Sequence, residues 1–140
     1  MDVHSKEQRS YNMSMIRSSK TKPELILRTE LRKAGFIYQP KILGKPDFID
    51  ETNKVVIFVD GCFWHRCQIH YKEPKTNKVF WKMKIRKTLN RDHYVRNLFE
   101  KNGYLVIKIW EHEIMKTPKE CLDSIKAEIM LRQHSYEVRN

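Results

Sequence analysis

The sequence lacks the features of a membrane or disulfide-stabilised protein. No apolar stretch approaches the ~20 residues of a membrane span, and the first six residues, Met1–Lys6, lack the apolar core of a signal peptide. The three cysteines are an odd number, which argues against a disulfide framework and favours metal binding or inert thiols. We therefore expect a cytoplasmic protein, and its 140 residues suit one domain with a single core.

Acidic residues are also in short supply. Lys and Arg number 28 against 17 Asp and Glu, which gives a formal net charge of +11. Eight basic residues and a single acidic one, Glu73, lie between positions 72 and 91, with Phe80 and Trp81 among them. A one-signed run with interleaved aromatics favours a face that follows phosphates, and nucleic acid is the leading partner. A solvated face on a merely soluble basic protein is the alternative.

The order of elements predicts an α/β fold, with helices on both faces of a small mixed sheet. Residues 1–20 are predicted to be a basic arm and residues 21–140 one domain. Thr21 and Glu24 form a capping box for a first helix that stops at Gly35. A hairpin around residues 47–59, a helix from about 77 to 103, a strand at 104–110 closed by residues 111–113, and a last helix with a fraying tail follow.

The hairpin places one carboxylate at the start of its first strand and another at the end of its second. Asp47 and Asp60 are these residues, and two carboxylates at adjacent strand ends can share Mg²⁺. His65 has the chemistry to accept a proton from water near neutral pH, and Asp92 could orient its ring. For Glu24 a purely capping role is the alternative, and for the two aspartates at 47 and 92 a solvent-facing position.

A second cluster has the composition of a zinc site. Cys62, Cys67 and His70 are closely spaced, and His112 follows the third strand. Four sulfur and nitrogen ligands would close a tetrahedral structural site that pins the loop to that strand. Two buried thiols and two surface histidines are the alternative. Cys121 is more simply a core thiol, and it would be the substitute if His112 is not a ligand.

Two adjacent aromatic residues lie between the metal cluster and the candidate base. Phe63 and Trp64 cannot easily turn into the core from this position. Aromatic side chains on a stiff loop can insert between base pairs, at a cost that is least at a mismatch. Core packing of one of the two rings is the alternative.

These motifs together resemble the very short patch repair (Vsr) mismatch endonuclease family. The resemblance covers most of the chain, and its most specific parts are Gly61-Cys-Phe-Trp-His65 and Trp110-Glu111. It implies a restriction-endonuclease-like fold with a structural zinc site. It also implies a Mg²⁺-dependent enzyme that nicks duplex DNA 5′ to the T of a T·G mismatch, which begins repair of deaminated 5-methylcytosine.

The resemblance assigns roles residue by residue. Asp47 and the backbone carbonyl of Val59 would bind Mg²⁺, His65 would be the catalytic histidine, and Glu24, Asp60 and Asp92 would be further catalytic acids. The zinc ligands would be the four residues named above. The residues expected to contact DNA are Met13, Phe63, Trp64, Trp81, Lys84 and Thr88.

Three positions depart from the family pattern. Asp60 replaces a histidine of some members, His112 stands where a cysteine is also seen, and Thr88 replaces an asparagine. The recognition sequence and the part played by Asp60 therefore stay open. The enzyme is expected to be a monomer, and recruitment by a mismatch-repair scaffold protein is left open. A nicking or restriction-type endonuclease of the same fold without mismatch dependence, and a non-catalytic zinc-containing DNA-binding module, are the alternative functions.

Overall fold

The computed structural model describes residues 21–61 and 71–139. In chain order the elements are helix α1 and strands β1, β2 and β3, followed by helix α2, strand β4 and helices α3 and α4. Their bounds are α1 Lys22–Lys33, β1 Ile37–Tyr38, β2 Phe48–Asp50, β3 Val55–Asp60, α2 Lys78–Lys101, β4 Leu105–Trp110, α3 Glu111–Lys116 and α4 Pro118–Arg139.

The four strands form one mixed sheet in the order β1-β2-β3-β4. The first three strands are antiparallel neighbours, with Phe48 opposite Ile57 in the hairpin. Strand β4 is parallel to β3, in a register that places Lys108 beside Phe58 and Trp110 beside Asp60. Parallel neighbours need a crossover connection, and α2 lies within it. The small mixed sheet that the sequence predicts is confirmed.

Both faces of this sheet are covered. One core cluster joins Leu27 of α1 and Ile125 of α4 to Val55 and Ile57 of β3. On the other face, Val95 and Phe99 of α2 pack against residues 49, 56 and 106 of three strands. Side chains alternate along a strand, so the continuous apolar run of β3 supplies both clusters. This explains why it reads as a doubly buried strand.

The helix ends agree with the predicted signals in two places and differ in two. Thr21 donates through its backbone N and Oγ1 to Glu24 Oε2, at 3.0 and 2.7 Å, and α1 ends before Gly35, which has φ +98°. The strand ends at Trp110, as predicted, but residues 111–113 are not only its end: they begin a helix, α3, that the sequence did not predict. The tail from Arg132, for which fraying was predicted, is helical as far as Arg139, and Arg132 donates to the backbone carbonyls of residues 53 and 103.

No helix in the described ranges has the length and apolarity needed to cross a bilayer. Residues 1–20, the predicted arm, lie outside these ranges, and so does the segment 62–70.

Candidate active site

A cavity of about 720 Å³ opens between the loop of residues 39–46 and the carboxyl-terminal half of β3. Residues of α2 and β4 complete its wall. Its charged lining residues are Lys41, Lys45, Asp47, Asp60, Arg91, Asp92 and Lys108. A pocket with carboxylates inside it and lysine and arginine around them can take up a polyanion and a cation together.

Backbone hydrogen bonds fix Asp47 at the entrance to β2. Its N–H donates to the carbonyl of Ile57 at 3.0 Å, and its carbonyl accepts from the N–H of Gln39 at 2.8 Å. The N–H of Val59 donates to Asp47 Oδ2 at 2.6 Å. The hairpin therefore holds this carboxylate rigidly against the end of β3, where the sequence predicts a metal ligand.

The environment of Asp47 opposes its ionisation. Burial, followed by a side-chain hydrogen bond and charge repulsion from Glu24, raises the pKa of Asp47 from 3.8 to about 8, with a smaller contribution from Asp60. The hydrogen bond from Val59 acts in the opposite direction. Carboxyl groups crowded in this way favour a shared proton, or a cation that replaces it.

Glu24 takes part in the cap and in the carboxylate cluster at once. It is only 2% exposed. Its Oε2 accepts the cap hydrogen bonds from Thr21, while Oε1 accepts from Gln39 Nε2 at 3.2 Å and from the Tyr38 hydroxyl at 3.5 Å. The capping role is therefore confirmed, and it does not exclude the second one, because the capped end of α1 points its first acidic residue toward Asp47. A role for Glu24 in the reaction stays a prediction.

Asp60 and Asp92 meet on the α2 side of the sheet. Lys108 Nζ lies 3.7 Å from Asp60 Oδ2 and 3.9 Å from Asp92 Oδ2. Asp92 belongs to the same helical stripe as Val95 and Phe99, since residues three, four and seven apart share one helix face. The stripe that packs α2 on the sheet thus brings this carboxylate to the cavity.

Carboxylate oxygens are the ligands that Mg²⁺ prefers, so the pair Asp47 and Glu24 fits a hard divalent cation. Across residues 21–61 and 71–139, however, no group of three or more His, Cys, Asp or Glu side chains is arranged to hold a metal ion. The predicted catalytic histidine, His65, lies outside the described residues.

The same holds for most of the predicted zinc site. Cys62, Cys67 and His70 lie outside the described residues. His112 is half-buried in the first turn of α3, and its ring stacks on that of Trp110 at a centroid distance of 6.4 Å. Cys121 is in the core cluster, as expected for an ordinary buried thiol, and burial raises its pKa.

The predicted DNA-contacting residues of α2 share one face. Trp81, Lys84 and Thr88 are spaced by three and four residues. Lys84 Nζ lies 5.7 Å above the Phe80 ring and 5.8 Å above the Trp81 ring, and Phe80 is 55% exposed. The hydroxyl of Thr88 donates to the carbonyl of Lys84 at 3.2 Å. Met13, Phe63 and Trp64 lie outside the described residues.

Two features at the cavity were not predicted from the sequence. Lys108 was read only as part of a strand, although a lone charge in the apolar run of residues 105–110 was an available signal. The contacts of Gln39 and Tyr38 with Glu24 carried no such signal, because they depend on the distance between α1 and β1 in the folded chain.

A buried carboxylate cluster bordered by exposed basic residues, on a strongly basic α/β domain, is typical of an enzyme that hydrolyses nucleic-acid phosphodiesters. Comparison with known proteins narrows this class of enzymes to one family. The family model described as DNA mismatch endonuclease Vsr matches residues 1–72, and the chain belongs to the Vsr family of DNA endonucleases.

Individual relatives agree with this assignment. The type II nicking enzyme V.NaeI of Lentzea aerocolonigenes is 37% identical over 90% of this chain and 77% of its own. The type II nicking enzyme V.NmeAIP of Neisseria meningitidis is 39% identical over 81% of this chain and 84% of its own. The DNA mismatch endonuclease Vsr of Escherichia coli is 35% identical over 79% of this chain and 73% of its own.

Proposed function

We propose that this endonuclease nicks duplex DNA 5′ to the T of a T·G mismatch, in the repair of deaminated 5-methylcytosine, and that it requires Mg²⁺. The proposal includes the restriction-endonuclease-like fold, a basic arm at residues 1–20 that grips the duplex, and a monomeric, cytoplasmic enzyme. Recruitment by a repair-scaffold protein is compatible with it and has no support in the described residues.

The observation that carries the proposal is the position of Asp47. Its carboxyl group is held by Val59 at 2.6 Å, faces Glu24 and lines a cavity that opens beside Lys41 and Lys45. The raised pKa of Asp47 means that a negative charge there needs a compensating cation. A divalent ion bound by Asp47 and the carbonyl of Val59 would supply that charge and polarise the scissile phosphate.

The remaining residues are given roles around this carboxylate. His65 would take the proton from the attacking water, a task that suits an imidazole near neutral pH. Asp92 would orient the imidazole ring from α2. Asp60 would act as a second acceptor for a proton, and Glu24 would hold Asp47 in place through their hydrogen bond.

Substrate recognition would come from aromatic and basic side chains outside the cavity. Phe63 and Trp64 would enter the base stack, where a mismatched pair costs least to open. Trp81, Lys84 and Thr88 would contact DNA from α2, with Met13 on the arm. Zinc bound by Cys62, Cys67, His70 and His112 would stiffen the loop that carries the two aromatics.

A second candidate is a nicking endonuclease that acts on fully paired DNA. The names of two relatives favour it, since V.NaeI and V.NmeAIP are each described as type II nicking enzymes without reference to a mismatch. A non-catalytic zinc module is the weakest alternative, because the chain belongs to a family of endonucleases.

One labelled duplex with a central T·G pair, compared with its fully paired counterpart, separates these functions. We expect a single nick on the T strand of the mismatched duplex in Mg²⁺, and none in EDTA. Equal nicking of both duplexes would remove mismatch specificity and favour the second candidate. Nicking that persists after complete removal of divalent metal would contradict the proposed role of Asp47.

The zinc site has its own test. Metal analysis of purified protein should find about one zinc per chain, and Cys67→Ala should lower that content. A folded protein without zinc would refute the structural metal.

A further inference from the structure

The side chain of Lys108 is the point where β3, β4 and α2 meet at the cavity. Its ammonium lies 3.7 Å from Asp60 and 3.9 Å from Asp92, and 5.9 Å above the ring of Phe58. The parallel register places Lys108 directly beside Phe58 on β3. Neither Asp60 nor Asp92 is near Lys108 in sequence, so this three-residue contact is a product of the crossover through α2.

These charges are only partly accessible to water. The side chains of Lys108, Asp60 and Asp92 are 26%, 8% and 19% exposed. Charges in such a position interact more strongly than those at an open surface, and placing a cation there costs solvation free energy. An apolar side chain would cover Phe58 without that cost. The charge itself therefore calls for an explanation.

The cavity supplies one. Asp47, Asp60 and Asp92 line it together, and a DNA phosphate would add a further negative charge. An ammonium between two of these carboxylates lowers the repulsion and fixes the direction in which each carboxylate points. It also ties Asp92 of the helix to the end of β3, the strand whose residue 59 hydrogen-bonds Asp47.

We propose that Lys108 is a positioning residue for strand nicking, acting through Asp92, with Asp60 of β3 as the second carboxylate that holds its ammonium in place. It holds the Asp92 carboxylate at a fixed distance from Asp47. The imidazole ring that Asp92 orients in the proposed function then approaches the scissile phosphate in one geometry. This role rests on the proposed function only in so far as Asp92 belongs to the reaction, and it is independent of mismatch specificity.

The test uses the full-length chain and whichever of the two duplexes the wild-type protein nicks. Lys108→Met keeps an unbranched side chain of nearly the same length and removes its charge. We expect the single-turnover nicking rate at saturating enzyme to fall roughly 100-fold, the loss that a misplacement of about 1 Å can produce. The dissociation constant for the duplex, measured without divalent metal, should change by less than about threefold, because a positioning residue does not contact the DNA. Loss of a phosphate contact would weaken binding instead.

Lys54 provides the matched control. Its Nζ lies 5.9 Å above the ring of Tyr104, the same distance that separates Lys108 from Phe58, but it is not among the cavity residues. Lys54→Met should leave the nicking rate unchanged. Lys108→Arg, which retains the charge, should recover most of the lost rate, and a thermal unfolding curve shows whether each variant is folded.

A double variant separates positioning from general destabilisation. If Lys108 acts through Asp92, then Asp92→Asn combined with Lys108→Met should nick no more slowly than the slower single variant. Multiplying losses would overturn the proposal. So would an unchanged rate in Lys108→Met, a loss of affinity at unchanged rate, or failure of Lys108→Arg to restore nicking. Equal nicking of the mismatched and the fully paired duplex by the wild-type protein would overturn the proposed function but not the role of Lys108.

Discussion

Two regions of opposite charge lie at the cavity and on the helix beside it. The acidic floor consists of Glu24, Asp47, Asp60 and Asp92, all of them buried or half-buried, whereas the basic helix face of α2 presents Lys84, Lys87 and Arg91 to solvent. Buried charges have strong and specific effects on one another, and exposed ones act weakly, additively and in a salt-dependent way. From this difference we expect substitutions in the floor to change mainly the nicking rate, and substitutions on the helix face to change mainly the affinity for DNA.

The largest effect is expected for Asp47→Asn, in the acidic floor. The amide oxygen can still accept the hydrogen bond from Val59, but the ligand charge for a divalent cation is lost. We expect the nicking rate to fall roughly 10³-fold, which corresponds to about 4 kcal/mol of transition-state stabilisation. A single-turnover assay measures the loss, and gel shift should show duplex binding within about twofold of the wild type, because phosphate contacts dominate affinity. Equal losses of binding and nicking would mean that floor and helix face are not separate.

Burial of Asp47 in the acidic floor should also make the stability of the protein depend on pH. The pKa of Asp47 in the folded protein is about 8, above its ordinary value of 3.8, so the folded state keeps a proton that the unfolded state releases. This contribution to stability is fully present below about pH 4 and is lost as the pH rises through about 8. In magnesium-free buffer, urea unfolding should therefore show stability falling from pH 5 to pH 8, and less steeply in Asp47→Asn. Identical slopes for the two proteins would place the proton elsewhere.

Gly44→Ala tests the contact between α2 and the loop of residues 39–46, which lines the cavity. Gly44 has φ +91°, and an added Cβ would lie 2.9 Å from Phe99 Cε2 and 3.0 Å from Val95 Cγ1. Left-handed strain and overpacking together should cost about 3 kcal/mol of unfolding free energy. Gly35→Ala is the control, because it has φ +98° but open space around the new Cβ, and it should lose only about 1–2 kcal/mol. Equal losses at the two glycines would show that the loop yields where it meets α2.

The sequence was most informative where structure depends on near neighbours. The capping box of Thr21 and Glu24, the stop at Gly35 and the buried run of β3 all follow from local rules, and each is present in the fold. The hairpin also allowed Asp47 and Asp60 to be paired in advance, since its two strands are adjacent in sequence.

The sequence failed where two distant segments had to be brought together. Lys108 contacts Asp60 and Asp92 only because β4 returns parallel to β3 and α2 packs across both. A strand pattern reports that residue 108 points away from residues 107 and 109, but it does not report what lies opposite. Helix α3 was missed because residues 111–116 follow the strand without a turn signal between them.

The smallest expected effect concerns the helix face. Lys84 lies over the rings of Phe80 and Trp81, an arrangement that leaves its ammonium at the surface with limited freedom. Lys84→Ala should weaken duplex binding roughly fivefold, about 1 kcal/mol, and reduce the slope of log K against log salt by about 0.9. Fluorescence anisotropy between 50 and 200 mM salt, a range over which such slopes are readily measured, provides both values. Lys101→Ala, at the other end of the same helix, should change neither. A loss of nicking rate without a change in salt slope would move Lys84 from the affinity surface to the chemistry, because only a phosphate contact releases counterions.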